Sequence, residues 1–313
     1  MSAKLSPILV TGAPRSGTTF LGKMLSLHRS VGYVDEPFNA QTGINGIDRQ
    51  FLYIGKSGSQ KQAEYTEIAR TLLAGHSNFK PSEIPPHRFT LPKQLARRLF
   101  ISPKHIQYKV AACNPFVKRF LIKDPMACFA SEYLHRILGM KTIIIIRHPA
   151  SVVASYKRLG WRFSLSHLTH QDELMEHHLQ PILGTVDTHQ LTPLQEWAYL
   201  WLSINAVLDE YARRNPKMII IRHEDLSSAP LPNFEKLYSL LNLELTPRIR
   251  RQIMAHTGQN NPVEAPGNVA HALKRNSAEI VNSWRRILGP DEIKEIKHIT
   301  IPVAQRYYAP NEW

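Results

Sequence analysis

Four isoleucines stand in a row, Ile143 to Ile146, inside the stretch KTIIIIRHP (141–149). Side chains alternate across a strand, so four consecutive apolar residues require burial on both of its faces. Such a strand belongs in a parallel sheet covered by helices on each side. The chain supplies partners for it. Ile8 to Thr11 is a short apolar run ending at glycine, and Phe20, Leu21, Met24 and Leu25 follow at helical spacing. RFLIKDP (119–125) predicts a strand stopped by proline, with a helix to follow through Leu138. KMIIIRHEDL (217–226) predicts another buried strand. Before it, Thr192, Pro193 and Gln195 form a capping box with proline at the first helical position. Leu194, Trp197, Trp201, Ile204, Leu208 and Tyr211 then fall on one stripe. Alternation of this kind predicts an α/β fold, a central parallel sheet with helices on both faces. At 313 residues the chain is read as a single domain, 1–313, without internal repeats.

Two segments break the alternation. Residues 40–110 are rich in Gly, Pro, Ser and Lys, and residues 160–192 in His and polar groups. Long irregular stretches in a compact domain are usually functional, so both are expected to form lids or an acceptor site. His167, His170, His177 and His178 match no ligand spacing, and a solvated loop is expected there without a metal.

Charge and cysteine content narrow the setting. The formal net charge is +14. Its arginines come in dispersed pairs, such as Arg97–Arg98 and Arg213–Arg214, without a long basic run. That pattern fits solvated helix faces plus one anion-binding pocket better than a nucleic-acid surface. Cys113 and Cys128 are the only cysteines and form no metal-type pair, which suits a reducing compartment. No run of about 18 apolar residues predicts a membrane span. The apolar residues near the start run straight into the glycine loop, as a strand does and a signal peptide does not. The expectation is a cytoplasmic protein.

The loop itself reads GAPRSGTTF (12–20). Gly12 and Gly17 have the spacing of a nucleotide-phosphate loop, but Thr18 and Thr19 stand where lysine and its hydroxyl partner belong. A strand entering a glycine turn and a helix N-terminus still makes a nest of N–H donors for a tetrahedral oxyanion. Arg15 adds a planar cationic fork. Nothing in this set requires Mg²⁺, and a sulfuryl group fits it. Arg147, at the carboxyl end of the isoleucine strand, lies where open α/β sheets bind ligands. Ser155 lies about two turns into the helix opened by Pro149.

Several motifs in order resemble the sulfotransferases that use 3′-phosphoadenosine-5′-phosphosulfate (PAPS). PRSGTTF (14–20) is similar to the family's 5′-phosphosulfate loop, in the arginine form of tyrosylprotein and carbohydrate sulfotransferases. The resemblance implies donor contacts from Arg15, Ser16, Gly17, Thr18 and Thr19. RHPASVVASY (147–156) looks like the 3′-phosphate element, implying Arg147 and Ser155. RHEDL (222–226) resembles the family's R-Y-E-D-L, with His223 replacing the tyrosine. KRNSAEIVNSWRR (274–286) resembles the segment that closes over the nucleotide, implying Lys274, Arg275, Asn276 and Ser277, with Trp284 as anchor. The implied fold is the sulfotransferase variant of the P-loop NTPase fold. The implied reaction is in-line, metal-independent transfer from PAPS to a hydroxyl or amine, leaving adenosine 3′,5′-bisphosphate.

Glu36, in VGYVDEPFN (31–39), is 21 positions after Arg15, a spacing similar to that of tyrosylprotein sulfotransferases, whose glutamate is the base. Arg15 and Glu36 are therefore the expected catalytic residues, with the Arg15 charge holding Glu36 ionised. The competing role for Glu36 is pairing with Arg15 or Lys123 to organise the pocket. A histidine base, as in cytosolic small-molecule sulfotransferases, stays open, though His105 is a poor candidate. A small-molecule kinase with a degenerate loop is the alternative function, and the missing loop lysine argues against it. The acceptor, whether small molecule, lipid or glycan, carries no pattern that names it.

Overall fold

The computed structural model describes residues 5–55, 59–81, 102–258 and 281–313. Its described strands are β1 Ile8–Thr11, β2 Val31–Asp35, β3 Arg119–Lys123, β4 Lys141–Ile146 and β5 Ile219–Arg222. They form one parallel sheet in the order β2–β3–β1–β4–β5. The first helices are α1 Thr18–Leu25, α2 Gln60–Leu73, α3 Pro103–Cys113, α4 Ser131–Leu138 and α5 Pro149–Leu159. Then come α6 Pro193–Arg214, α7 His223–Ser228, α8 Pro230–Leu240, α9 Pro247–Thr257 and α10 Pro290–Ala304.

The isoleucine run explains the layering. Ile143 and Ile145 join the core formed with α1, α8 and α9, whereas Ile144 and Ile146 face the core of α5, α6 and α10. A third core fills the β2–β3 end with residues of α2, α3 and α4. The capping box of α6 is closed in both directions, with Thr192 Oγ1 accepting from Gln195 N at 3.3 Å and Gln195 Oε1 accepting from Thr192 N at 2.8 Å. Its stripe from Trp197 to Tyr211 is buried, and Leu194 is half-buried.

Two expectations need correction. Residues 217–226 do not form one buried strand: β5 is an edge strand, half-exposed along its length, and His223 already begins α7. An edge strand has one neighbour, so its isoleucines bury less on each side. Nor is 160–192 a solvated loop. It folds into short helical turns, including a π-turn over Met175–Leu179, anchored by Leu165, Leu168, Leu174, Leu179 and Leu183. His178 Nδ1 pairs with Glu210 at 2.9 Å, and His177 Nδ1 meets the Tyr53 hydroxyl at 2.9 Å. Among the described residues no His, Cys, Asp and Glu cluster is placed to hold a metal ion.

From β1 the chain leaves toward β2 on one side, and β4 lies on the other. The carboxyl ends of β1 and β4 thus flank the sheet's switch point, where open α/β sheets bind ligands.

Candidate active site

The loop after β1 passes directly over β4. Gly12 has φ 150°, and a Cβ there would meet the Ile145 carbonyl oxygen at 2.2 Å. Gly17 has φ 102°, and a Cβ would strike His223 Cδ2 at 2.6 Å. Only glycine suits either position. The turn between them is held from several sides. Ser16 is fully buried, its hydroxyl donating to the Ala13 carbonyl at 2.5 Å. The Tyr156 hydroxyl donates to Pro14 O at 3.0 Å, and Arg147 Nη1 donates to Arg15 O at 3.1 Å. Arg15 Nε donates to Ser155 Oγ at 3.1 Å, and its guanidinium carbon lies 5.5 Å from the centre of the Trp161 ring. Ser155 therefore steers Arg15, and Arg147 braces the loop backbone.

Arg147 is itself fixed from behind. Trp201 Nε1 donates to its carbonyl at 2.9 Å. The next N–H, of His148, donates to Glu224 Oε1 at 2.9 Å, and the Tyr308 hydroxyl donates to Glu224 Oε2 at 3.1 Å. The His148 ring stacks on Trp284 at 5.1 Å, 8° from parallel. Burial, reinforced by Arg285, Arg222 and Arg147, brings the His148 pKa down to about 3, so the ring is neutral. Trp284 is buried at the start of the described C-terminal stretch. Lys274, Arg275, Asn276 and Ser277 lie outside the described residues. His223 borders Gly17 and meets the Ser227 hydroxyl through Nδ1 at 3.4 Å.

At the end of β2 the backbone turns sharply, and Glu36 takes φ 47°. Lys123, 1% exposed at the end of β3, reaches Glu36 Oε1 at 2.6 Å and Asp35 Oδ1 at 2.8 Å. Lys104 approaches Glu36 Oε2 at 3.4 Å and Asp35 Oδ2 at 3.6 Å, and its Nζ bonds Thr42 Oγ1 at 3.0 Å. Burial on its own would raise the Glu36 pKa, but Lys123 and then Lys104 outweigh it and hold the carboxylate below its usual range. These two lysines thus do the work that the sequence assigned to Arg15. Asp124 accepts from the Phe38 and Met126 N–H groups at 2.6 and 2.8 Å, fixing the EPF turn against β3.

Arg15, Gly17, Thr18, Thr19, Arg147 and His223 line one end of a cleft of about 760 Å³. Glu36, Asn39, Gln41, Thr42, Gln50 and Phe51 line the other, together with Trp161, Phe163 and His167. Ser16 and Ser155 stand behind this surface. Phe51 has φ 54°. Among the described residues four non-glycines have positive φ, and three of them, Arg15, Glu36 and Phe51, are in this cleft. Strained backbone concentrates at functional sites.

Gln171 ties the two walls of the second end together. It is 6% exposed, accepts from Tyr53 N at 3.0 Å, and donates to Phe51 O at 3.1 Å and His167 O at 2.8 Å. Sequence reasoning missed Gln171, Lys104, Tyr156 and Trp161. A lysine inside the buried run FLIKD was a readable pointer to Lys123.

Residues 7–247 match the sulfotransferase family. The chain belongs to that family. Its curated relatives include mouse (Mus musculus) carbohydrate sulfotransferase 3, 22% identical over 89% of this chain and 62% of that protein. The chain thus spans under two thirds of that relative's length. Carbohydrate sulfotransferase 5 of Homo sapiens is also 22% identical, over 95% of this chain and 76% of its own. Among solved structures, the sulfotransferase domain from the curacin biosynthetic pathway matches with a TM-score of 0.50 and 17% identity, covering 98% of this chain and 100% of that one. That likeness places the parallel sheet and its switch-point cleft in the sulfotransferase fold.

Proposed function

We propose that the protein transfers a sulfuryl group from PAPS to a hydroxyl of a glycan. The observation that carries this is one cleft holding Arg15 on the loop after β1 and Glu36 after β2. The loop fits the donor: Gly12 and Gly17 let it turn tightly against Ile145 and His223, and Thr18 and Thr19 open a helix whose first N–H groups have no intrahelical acceptor. Arg147, at the far side of the switch point, would hold the 3′-phosphate. PAPS would supply the activated sulfuryl group and a phosphate that leaves.

Glu36 takes the proton from the acceptor oxygen, and Arg15 stabilises the negative charge gathering on the leaving phosphate. Lys123 keeps Glu36 ionised and aimed. A carboxylate of low basicity suffices because bond breaking runs ahead of proton loss in a loose, in-line transition state. Asp35 shares both lysines but does not line the cleft, so Glu36 is the base. Asn39, Gln41, Thr42 and Gln50 offer amide and hydroxyl partners in the same lining as Trp161 and Phe163, a combination suited to a hydroxyl-rich sugar ring. No step asks for a metal.

Calorimetry with adenosine 3′,5′-bisphosphate and with ATP tests the donor. Tight binding of ATP, and none of the bisphosphate, sinks the reading and revives the kinase. Labelled PAPS offered to a panel of glycans, lipids and small alcohols then tests the acceptor. Transfer to lipids or alcohols alone would overturn the glycan assignment.

A further inference from the structure

At the opposite end of the sheet, where the strands begin, the surface has a different chemistry. A groove of about 440 Å³ runs between Leu5–Pro7, the ends of α2 and α3, and the turn after α4. Ala74, Ala111, Ala112, Val117 and Leu138 give it an apolar floor, and no acidic side chain lines it. Around it the apolar surface continues outward. Val110 is 65% exposed, Phe116 59%, Ile137 50% and Leu5 39%, half of the large hydrophobics exposed among the described residues. Each is in the groove's lining or within one residue of it. A lone exposed apolar residue needs no explanation, but a cluster of them around a groove marks a contact surface.

Cations frame this patch. Lys118 lines the groove, and Lys109 Nζ bonds the Gly75 carbonyl there at 3.2 Å. The Arg29 guanidinium carbon lies 5.8 Å from the centre of the Phe116 ring. The Lys141 backbone N–H donates to Pro7 O at 2.8 Å, placing that lysine beside the groove's first wall. Apolar side chains ringed by lysine and arginine match an interface that is apolar below and anionic above. We infer that this face rests on an anionic lipid surface, with Phe116 and Val110 entering the headgroup boundary and Arg29, Lys109 and Lys118 meeting the phosphates. A second copy of the chain fits less well, because pairing the patch with itself brings like charges together. Since the strands separate this face from the cleft by on the order of 15–20 Å, the active site opens away from the membrane.

Sedimentation of the full chain with vesicles tests this, using phosphatidylcholine alone and phosphatidylcholine mixed with phosphatidylserine. Binding is expected to the mixed vesicles only. Arg29→Gln and Lys118→Gln should each weaken it roughly fivefold, the scale for one basic residue near an anionic surface. Phe116→Ser should weaken it at least as much. All three positions are exposed and remote from the cleft, so bisphosphate affinity should stay at the wild-type value and certify the fold. Equal binding to both vesicle types, no binding to either, or unchanged binding by Phe116→Ser overturns the inference. So does a dimer in light scattering that Phe116→Ser dissolves, which would assign the face to a second copy.

Discussion

The two ends of the cleft are built by different means. The donor end hangs from strand termini. Arg15 follows β1, Arg147 follows β4 and His223 follows β5, and backbone carbonyls of that end are gripped by Arg147, Tyr156 and Trp201. The acceptor end is assembled from chain that belongs to no strand. Its walls, around 39–53 and 161–171, are joined by the Gln171 amide and by the Phe51 and Phe163 rings, whose centres lie 5.3 Å apart. An end fixed by the sheet holds its geometry through changes elsewhere, whereas an end tied by side chains can be re-cut by a few substitutions. The second arrangement suits an acceptor site that must be matched to its substrate.

The largest expected effect comes at the junction of the two ends. Glu36→Gln keeps the shape and removes the basicity, so kcat should fall by about two to four orders of magnitude, the usual worth of a positioned base. Affinity for adenosine 3′,5′-bisphosphate, measured by calorimetry, should hardly move. Near-normal turnover would shift the base to a histidine of the cleft, His167 or His223.

Within the donor end, Arg15→Ala should cost at least about a hundredfold in kcat. Ser155→Ala then separates two roles. Because Ser155 bonds Arg15, the smaller variant should lower kcat severalfold with the KM for PAPS nearly unchanged. A rise confined to the KM for PAPS would mean that Ser155 holds the 3′-phosphate instead.

Across the acceptor end, Gln171→Ala should raise the KM for the acceptor by about tenfold while the KM for PAPS stays put, the mark of lost positioning rather than lost folding. Equal losses on both substrates would show that the two ends are less separate than their construction implies. Gln171→Glu keeps the acceptor for Tyr53 N but loses the donor to Phe51 O and His167 O, so it should not rescue.

The smallest effect is one of pH. Glu36 has a depressed pKa, so it remains ionised down through the ordinary carboxylate range, and its ion pairs contribute stability above that range that is lost only as pH falls through the lowered value. A profile of kcat/KM should therefore be flat from neutral pH to about pH 5. A fall beginning near pH 6.5 would report a histidine base.

The same division marks what could be read from the sequence. Strands such as Ile143–Ile146 and the glycine loop announce themselves because burial on two faces and a tight turn restrict residue choice severely. Arg15, Arg147 and Glu36 were legible because they stand at the ends of such elements. Gln171 was not, since a buried amide bonding backbone groups of two separate segments looks in sequence like any polar residue between leucines. Lys104 was hidden for the same reason: its partners come together only once α3 is set beside β2. The helical turns of 166–183 carry their leucines at irregular spacing, with histidines between them, so no helical stripe stands out.

One consequence of the Lys123 arrangement concerns how this chain can change over time. The buried ammonium has two counter-ions, Asp35 and Glu36, where one would keep it from being stranded. Taking away the lysine, as in Lys123→Met, leaves two neighbouring carboxylates with only Lys104, and should cost about 3 kcal/mol in chemical denaturation. Taking away Glu36 leaves Lys123 still satisfied by Asp35, so the melting temperature of Glu36→Gln should stay within a few degrees of wild type. The site thus carries a spare counter-charge. With Glu36 in its proposed role, a single nucleotide change would silence the chemistry while sparing the fold, which would give a lineage of such chains an open road from enzyme to plain binding protein.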